Sequence, residues 1–158
     1  MINHAQKAEE LFKSGYNCAQ SVFAVYAEDY GIDFETALKL SSSFGGGMGR
    51  LREVCGAVSG MFMAVGLILG YSSNDNKDEK KSHYERIQYL AHEFEKQNGS
   101  IICRELLNLD HKNDSPIPSE RTNEYYKKRP CVELVKDACN ILDKYLKEQT
   151  ILQNKISN

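Results

Sequence analysis

No excess of one charge runs through this chain. Its 20 lysines and arginines stand against 22 aspartates and glutamates, leaving a net charge near −2 with both signs interspersed. A surface that grips nucleic acid or an anionic membrane needs a basic patch, so neither is an expected partner. No secretory leader is expected either: Met1-Ile2-Asn3-His4-Ala5-Gln6-Lys7 has no basic stretch leading into an apolar run and a small-residue cleavage site. The expected location is the cytoplasm. Long apolar runs are scarce. Only Val54 to Tyr71 raises the membrane question; it is short for a span, contains Gly56, Gly60, Gly66 and Gly70, and follows Arg50, Arg52 and Glu53. A buried core helix is the expectation there, not a membrane span.

Strand alternation, internal repeats and low-complexity tracts are also absent. What remains is helical periodicity, which predicts an all-α fold: a single-domain helical bundle of about six to seven helices. The domain is expected over residues 1–150, with 151–158 a frayed tail. The spacing predicts helices from Ala5 to Phe12, from Cys18 (capped by Asn17) to about Tyr30, and from Phe34 (capped by Asp33) to about Ser42. A fourth starts near Glu53 or Cys55 and stops at Gly70. On it Gly56, Gly60 and Ala64 recur at one-turn spacing, so another backbone can approach closely. A polar linker from Ser72 to Lys81 precedes a helix from Ser82 to Gln97. A short helix follows Ser100, then a loop over residues 108–129 holding Pro116 and Pro118, long enough to suggest function. Pro130 opens the last helix, ending near Gln149.

Several catalytic signatures are missing. His4, His83, His92 and His111 show no ligand spacing and are expected at the surface or in caps. The loop Gly45-Gly46-Gly47-Met48-Gly49 lacks the Gly-Lys-Ser/Thr ending of a P-loop and follows no strand. It is left to hold a small anion or to let two helices pack. No Cys-x-x-Cys occurs, so any thiol pair must come from distant segments.

Cysteine is where the pattern lies. The count of five is odd, and in a reducing compartment favours catalytic or metal-binding use over a disulfide framework. Cys18, Cys55, Cys103 and Cys131 each fall at the start of an expected helix. There the dipole and free N–H groups lower a thiol's pKa, with Arg52, Arg104, Lys128 and Arg129 adding positive charge. Cys139 falls inside the last helix among apolar residues and is expected to be inert.

Gly15-Tyr16-Asn17-Cys18-Ala19-Gln20, Phe44-Gly45-Gly46-Gly47-Met48-Gly49-Arg50, Val54-Cys55-Gly56-Ala57-Val58-Ser59-Gly60, Cys103-Arg104-Glu105-Leu106-Leu107 and Cys131 together resemble the C-GCAxxG-C-C family of redox-active proteins, over about residues 5 to 147. The central block reads Cys-Gly-Ala where the family's short name writes Gly-Cys-Ala. The resemblance implies a small bacterial or archaeal protein whose four signature cysteines are Cys18, Cys55, Cys103 and Cys131, often encoded near transporter genes and with no settled reaction.

Three readings stay open at the level of sequence. In a thiol redox protein, Cys55 would be the attacking thiolate and Cys18 or Cys131 the resolving thiol, with Cys103 in the same cluster. In a metal or iron–sulfur carrier, Cys18, Cys55, Cys103 and Cys131 would supply four thiolates to a bound metal or cluster. In a helical interaction module, the cysteines would be packing. The matching partners are a redox protein, a small thiol or a metal species, with a link to a transporter and assembly into an oligomer both compatible with the sequence.

Overall fold

The computed structural model describes residues 3–156. It is all-α, with six helices of seven residues or more and no strand among the described residues. Helix α1 (His4–Lys13) begins at Asn3, whose side chain accepts from the Gln6 amide at 3.0 Å, and buries Ala5, Ala8 and Phe12. Helix α2 (Cys18–Ala27) begins with a reciprocal capping box. The Asn17 side chain accepts from the Gln20 amide at 2.9 Å, and the Gln20 side chain accepts from the Asn17 amide at 3.1 Å. Two orphan donors are thereby satisfied at once, which fixes the first turn that carries Cys18.

A 3-10 turn (Glu28–Tyr30) continues α2 to the left-handed Gly31, and Asp33 caps α3 (Phe34–Ser41). Helix α4 (Gly56–Leu69) follows the glycine-rich loop, with Cys55 as its N-cap. Helix α5 (Lys77–Asn98) starts earlier than the expected Ser82. Asn76 accepts from the Asp78 and Glu79 amides, and those two acids complement the dipole, so the polar stretch read as linker is a helix start. Short helices α6 (Cys103–Leu106) and α7 (Asn123–Lys128) lead to α8 (Cys131–Ile156). The expected end near Gln149 is passed by nearly two turns, residues 151–155 being helical with exposed side chains.

Helix α2 lies at the centre, buried from Ala19 through Ala27 apart from Gln20, and packs against α1, α3, α4 and α8. Its Val22, Phe23 and Tyr26 join Met61 and Val65 of α4, Leu90 and Phe94 of α5, and Val135 and Leu142 of α8 in one core. Burying each such side chain stabilises the fold by about 1.5–3 kcal/mol. The close approach expected from the glycine spacing of α4 is present. A Cβ at Gly60 would stand 2.8 Å from the Ala19 carbonyl oxygen and 3.0 Å from the Val22 Cβ, so α4 slides its glycine face directly onto α2. Val54 to Tyr71 is thus mostly core helix, and among the described residues no helix is long and apolar enough to cross a membrane.

Candidate functional site

Two segments far apart in sequence zip together to assemble the site. The Cys55 amide donates to the Ile101 carbonyl at 2.8 Å, the Cys103 amide donates to the Glu53 carbonyl at 2.6 Å, and Val54 forms an isolated antiparallel bridge with Ile102. This ladder sets Cys55 at the start of α4 beside Cys103 at the start of α6. The glycine loop makes it fit: Gly47 has φ +68°, and a Cβ there would come within 2.6 Å of the Cys103 Cβ and 2.8 Å of the Glu53 amide nitrogen. Only glycine takes both that conformation and that contact at low cost. Met48, Arg50 and Arg52 share the left-handed region, at φ 67°, 67° and 61°. Strain of about 1–3 kcal/mol per such residue persists only where the surroundings hold it in place.

Cys18 arrives from the other side. Its Sγ packs onto Gly56, filling the space a side chain there would need. Cys131, at the start of α8, closes the ring. All four thiols line one cavity of about 270 Å³, together with Phe12, Leu134, Gly45, Gly46 and Gly49. Cys55 and Cys103 are buried, Cys18 and Cys131 half-buried. Cys139 lies elsewhere, fully buried in the core.

The expectation that helix starts acidify these thiols fails for three of them. Burial pushes the Cys55 thiol well above its ordinary range, outweighing the Ala57 and Val58 amides that favour its thiolate. Burial raises Cys103 as well, against the hydrogen bond from Arg52 Nη1 to its Sγ at 3.5 Å. Cys131 is pushed up to about 12, again mainly by burial. Desolvation of a thiolate wins because each sulfur has traded water for apolar neighbours and a few partial charges. Charge on Cys18 raises Cys55, Cys103 and Cys131 alike, so Cys18 is the common neighbour of the cluster.

The long loop expected over residues 108–129 is interrupted by α7, whose first turn is capped by Thr122, and the stretch before that helix lines the cavity. Arg52, 2% exposed, donates to Asp114 Oδ2 from Nε at 3.0 Å and from Nη2 at 2.8 Å. Arg50 donates to the Ser115 carbonyl at 2.5 Å and to Ser119 Oγ at 3.2 Å. These bonds strap the loop so that Pro116, Pro118, Ser119 and Arg121 line the cavity. Arg121 is held by the carbonyls of Phe12 at 3.0 Å and Tyr16 at 3.2 Å, with its guanidinium over the Phe12 ring. Sequence reasoning passed over Asp114 and Arg121; the loop's length was the signal for them. Lys128, expected as a cationic neighbour, instead pairs with Glu124 at 2.9 Å, and Arg104 pairs with Glu53 at 3.3 Å.

His4 departs from its expected surface or capping role: its Nδ1 is 2.8 Å from Asp143 and its Nε2 3.1 Å from Asp29, with the ring stacked on Tyr26. Among the described residues, no group of three or more His, Cys, Asp or Glu side chains stands as a metal would require. The four thiols share one cavity without standing in such a ligand arrangement.

Comparison with known proteins adds one positive finding. Residues 16–145 match the C-GCAxxG-C-C family, described as putative redox-active protein. No curated protein and no solved structure matches the chain.

Proposed function

The chain belongs to the C-GCAxxG-C-C family of redox-active proteins, and on that premise we propose that it is a dithiol–disulfide exchange protein in which Cys18 attacks and Cys55 resolves. The observation that carries this reading is the convergence of Cys18, Cys55, Cys103 and Cys131 on one cavity from four separate segments. Cys18 is one of two half-buried members, the one whose charge bears on all the others, and its sulfur lies against Gly56, the residue next to Cys55. The attacking role read from sequence for Cys55 moves to Cys18 because Cys55 is buried and held protonated.

The chemistry balances with a disulfide as oxidant. The Cys18 thiolate attacks one sulfur of the substrate disulfide; the substrate S–S bond breaks, a mixed disulfide forms, and the leaving thiolate takes up the proton that Cys18 gave up. Cys55 then loses its proton, its sulfur attacks Cys18 Sγ, and the second substrate thiol leaves carrying that proton. The protein loses two electrons and two protons, and the substrate gains both. Cys131 and Cys103 stay reduced, Cys103 beneath Arg52.

Titrating oxygen-free protein with a small disulfide tests this. Free thiols should fall from five to three, peptide mapping should find Cys18 joined to Cys55, and Cys18→Ser should abolish the reaction. Five thiols surviving excess oxidant would overturn the reading, and a Cys18–Cys131 bond would overturn the pairing.

A further inference from the structure

The cavity holding the thiols carries an unbalanced positive charge. Arg50, Arg52, Arg121 and Arg129 all line it, and no aspartate or glutamate does. Arg50 and Arg52 share the carboxylate of Asp114, at 3.4 Å and 2.8 Å. Arg121 and Arg129 are different: among the described residues neither has a carboxylate partner. Arg121 rests on two carbonyls and two rings, and Arg129 on the Tyr125 ring at 4.9 Å. A guanidinium packed against aromatic faces keeps its fork of donors in a fixed plane, at low entropic cost for binding a planar anion. Both cations act on Cys131, so both stand near the thiol cluster and not off at the rim.

We propose that the cavity selects a small, carboxylate-bearing disulfide, anchored through its carboxylate by Arg121 and Arg129 with its S–S bond presented to Cys18. The proposal rests on the thiol-exchange reading and names the substrate class for that same site. Four features converge on it. The volume suits one arm of a small peptide disulfide better than a protein loop. Phe12 and Leu134 give the cavity an apolar lining that accepts the methylenes beside the sulfur. The two guanidiniums without a carboxylate partner have donors left for a carboxylate, Arg121 beside its bonds to the Phe12 and Tyr16 carbonyls. The absence of acidic lining residues removes any contact that would favour a cationic disulfide. The exchange itself is unchanged: the substrate S–S bond breaks, the Cys18–Cys55 bond forms, and two carboxylate-bearing thiols leave with the two protons.

The test compares three disulfides of similar reactivity on the reduced full-length protein: oxidised glutathione, neutral 2-hydroxyethyl disulfide and dicationic cystamine. Oxidised glutathione should consume thiols at least ten times faster than cystamine at low ionic strength. That ratio should shrink several-fold in Arg129→Gln and in Arg121→Gln, and in the parent at high salt. Because Arg121 also ties the loop to α1, Arg129→Gln serves where Arg121→Gln fails to fold. Binding of S-methylglutathione, which cannot exchange, is measured in parallel by calorimetry and should weaken in the same variants. Equal rates for all three disulfides would overturn the substrate class and leave thiol exchange standing. Binding of S-methylglutathione without oxidation by any disulfide would instead sink the exchange chemistry. Inorganic sulfate displacing S-methylglutathione at equal concentration would reassign the site to simple oxyanions.

Discussion

The Sγ of Cys18 occupies the space in which a Gly56 side chain would begin. One contact thereby joins the central helix pair to the thiol cluster: α4 can lie against α2 only while residue 56 is glycine, and Cys18 keeps its place only while α4 lies there. Gly56→Ala should therefore destabilise the protein. The same Cβ would also meet the Phe44 carbonyl oxygen at 2.9 Å. Overpacking costs about 1–3 kcal/mol, against about 1 kcal/mol that alanine returns in an open helix. Denaturant melts decide by sign, and a variant more stable than the parent with unchanged Cys18 alkylation would refute the contact. Gly60→Leu should behave similarly through Ala19 and Val22.

Thiol reactivity should follow burial rather than helix position. With iodoacetamide and mass spectrometry under reducing conditions, Cys18 should be modified first and Cys139 last, with Cys55 and Cys103 well behind Cys18. Because Cys131 is pushed up to about 12, its rate should still be climbing between pH 9 and pH 11. A plateau at Cys131 below pH 9, or Cys55 leading, would reverse the account of desolvation given above.

How much of this was open to reading in the sequence depends on range. The Asn17 cap and the buried glycine face of α4 were legible because they rest on neighbours one helical turn away. The start of α5 at Lys77 was not, since its first turn is all polar and shows no apolar periodicity, leaving only the Asn76 cap as a sign. The four cysteines could be grouped, but the ladder that sets Cys55 beside Cys103 joins segments far apart in the chain, and spacing carries no trace of it. Thiol acidity was misread for a related reason. The dipole of a helix start is local and visible in sequence, whereas the desolvation that overrides it exists only after α2, α4 and α8 have closed around the sulfurs.

Asp114 should act as the latch of the covering loop. Arg52 holds its carboxyl below the ordinary carboxylate range. A depressed folded value means that the contribution is present above the unfolded pKa and is lost as pH falls through the folded one, so the latch should weaken below about pH 4. Asp114→Asn should mimic acid at neutral pH, loosening Arg52 and speeding Cys103 alkylation several-fold, with proteolytic cleavage appearing between residues 108 and 122. Unaltered Cys103 kinetics and an intact loop in the variant would show that Arg50 and the proline pair hold the loop unaided.

His4 gives the fold a pH dependence unrelated to the thiols. It joins α1 to Asp29 after α2 and to Asp143 on α8, at 3.1 Å and 2.8 Å, while Tyr26 donates to the same Asp143 at 2.8 Å. The hydrogen bond to Asp143 is the largest cause of a raised imidazole pKa, against the opposing effect of burial. A raised folded value means that the stabilisation is fully present below the unfolded value of about 6.5 and fades as pH climbs through the folded one. Urea melts between pH 5.5 and pH 8.5 should therefore show the parent losing stability toward the alkaline end, with a shallower slope in His4→Gln. His83 works the other way, its pKa lowered by burial and by Arg86, and His111 sits exposed between Asp110 and Asp114. The informative quantity is thus the difference between parent and His4→Gln at each pH, not the parent curve alone. A constant difference across the range would mean that what His4 contributes does not depend on its proton, against the ion pairs with Asp29 and Asp143 as the source of the effect.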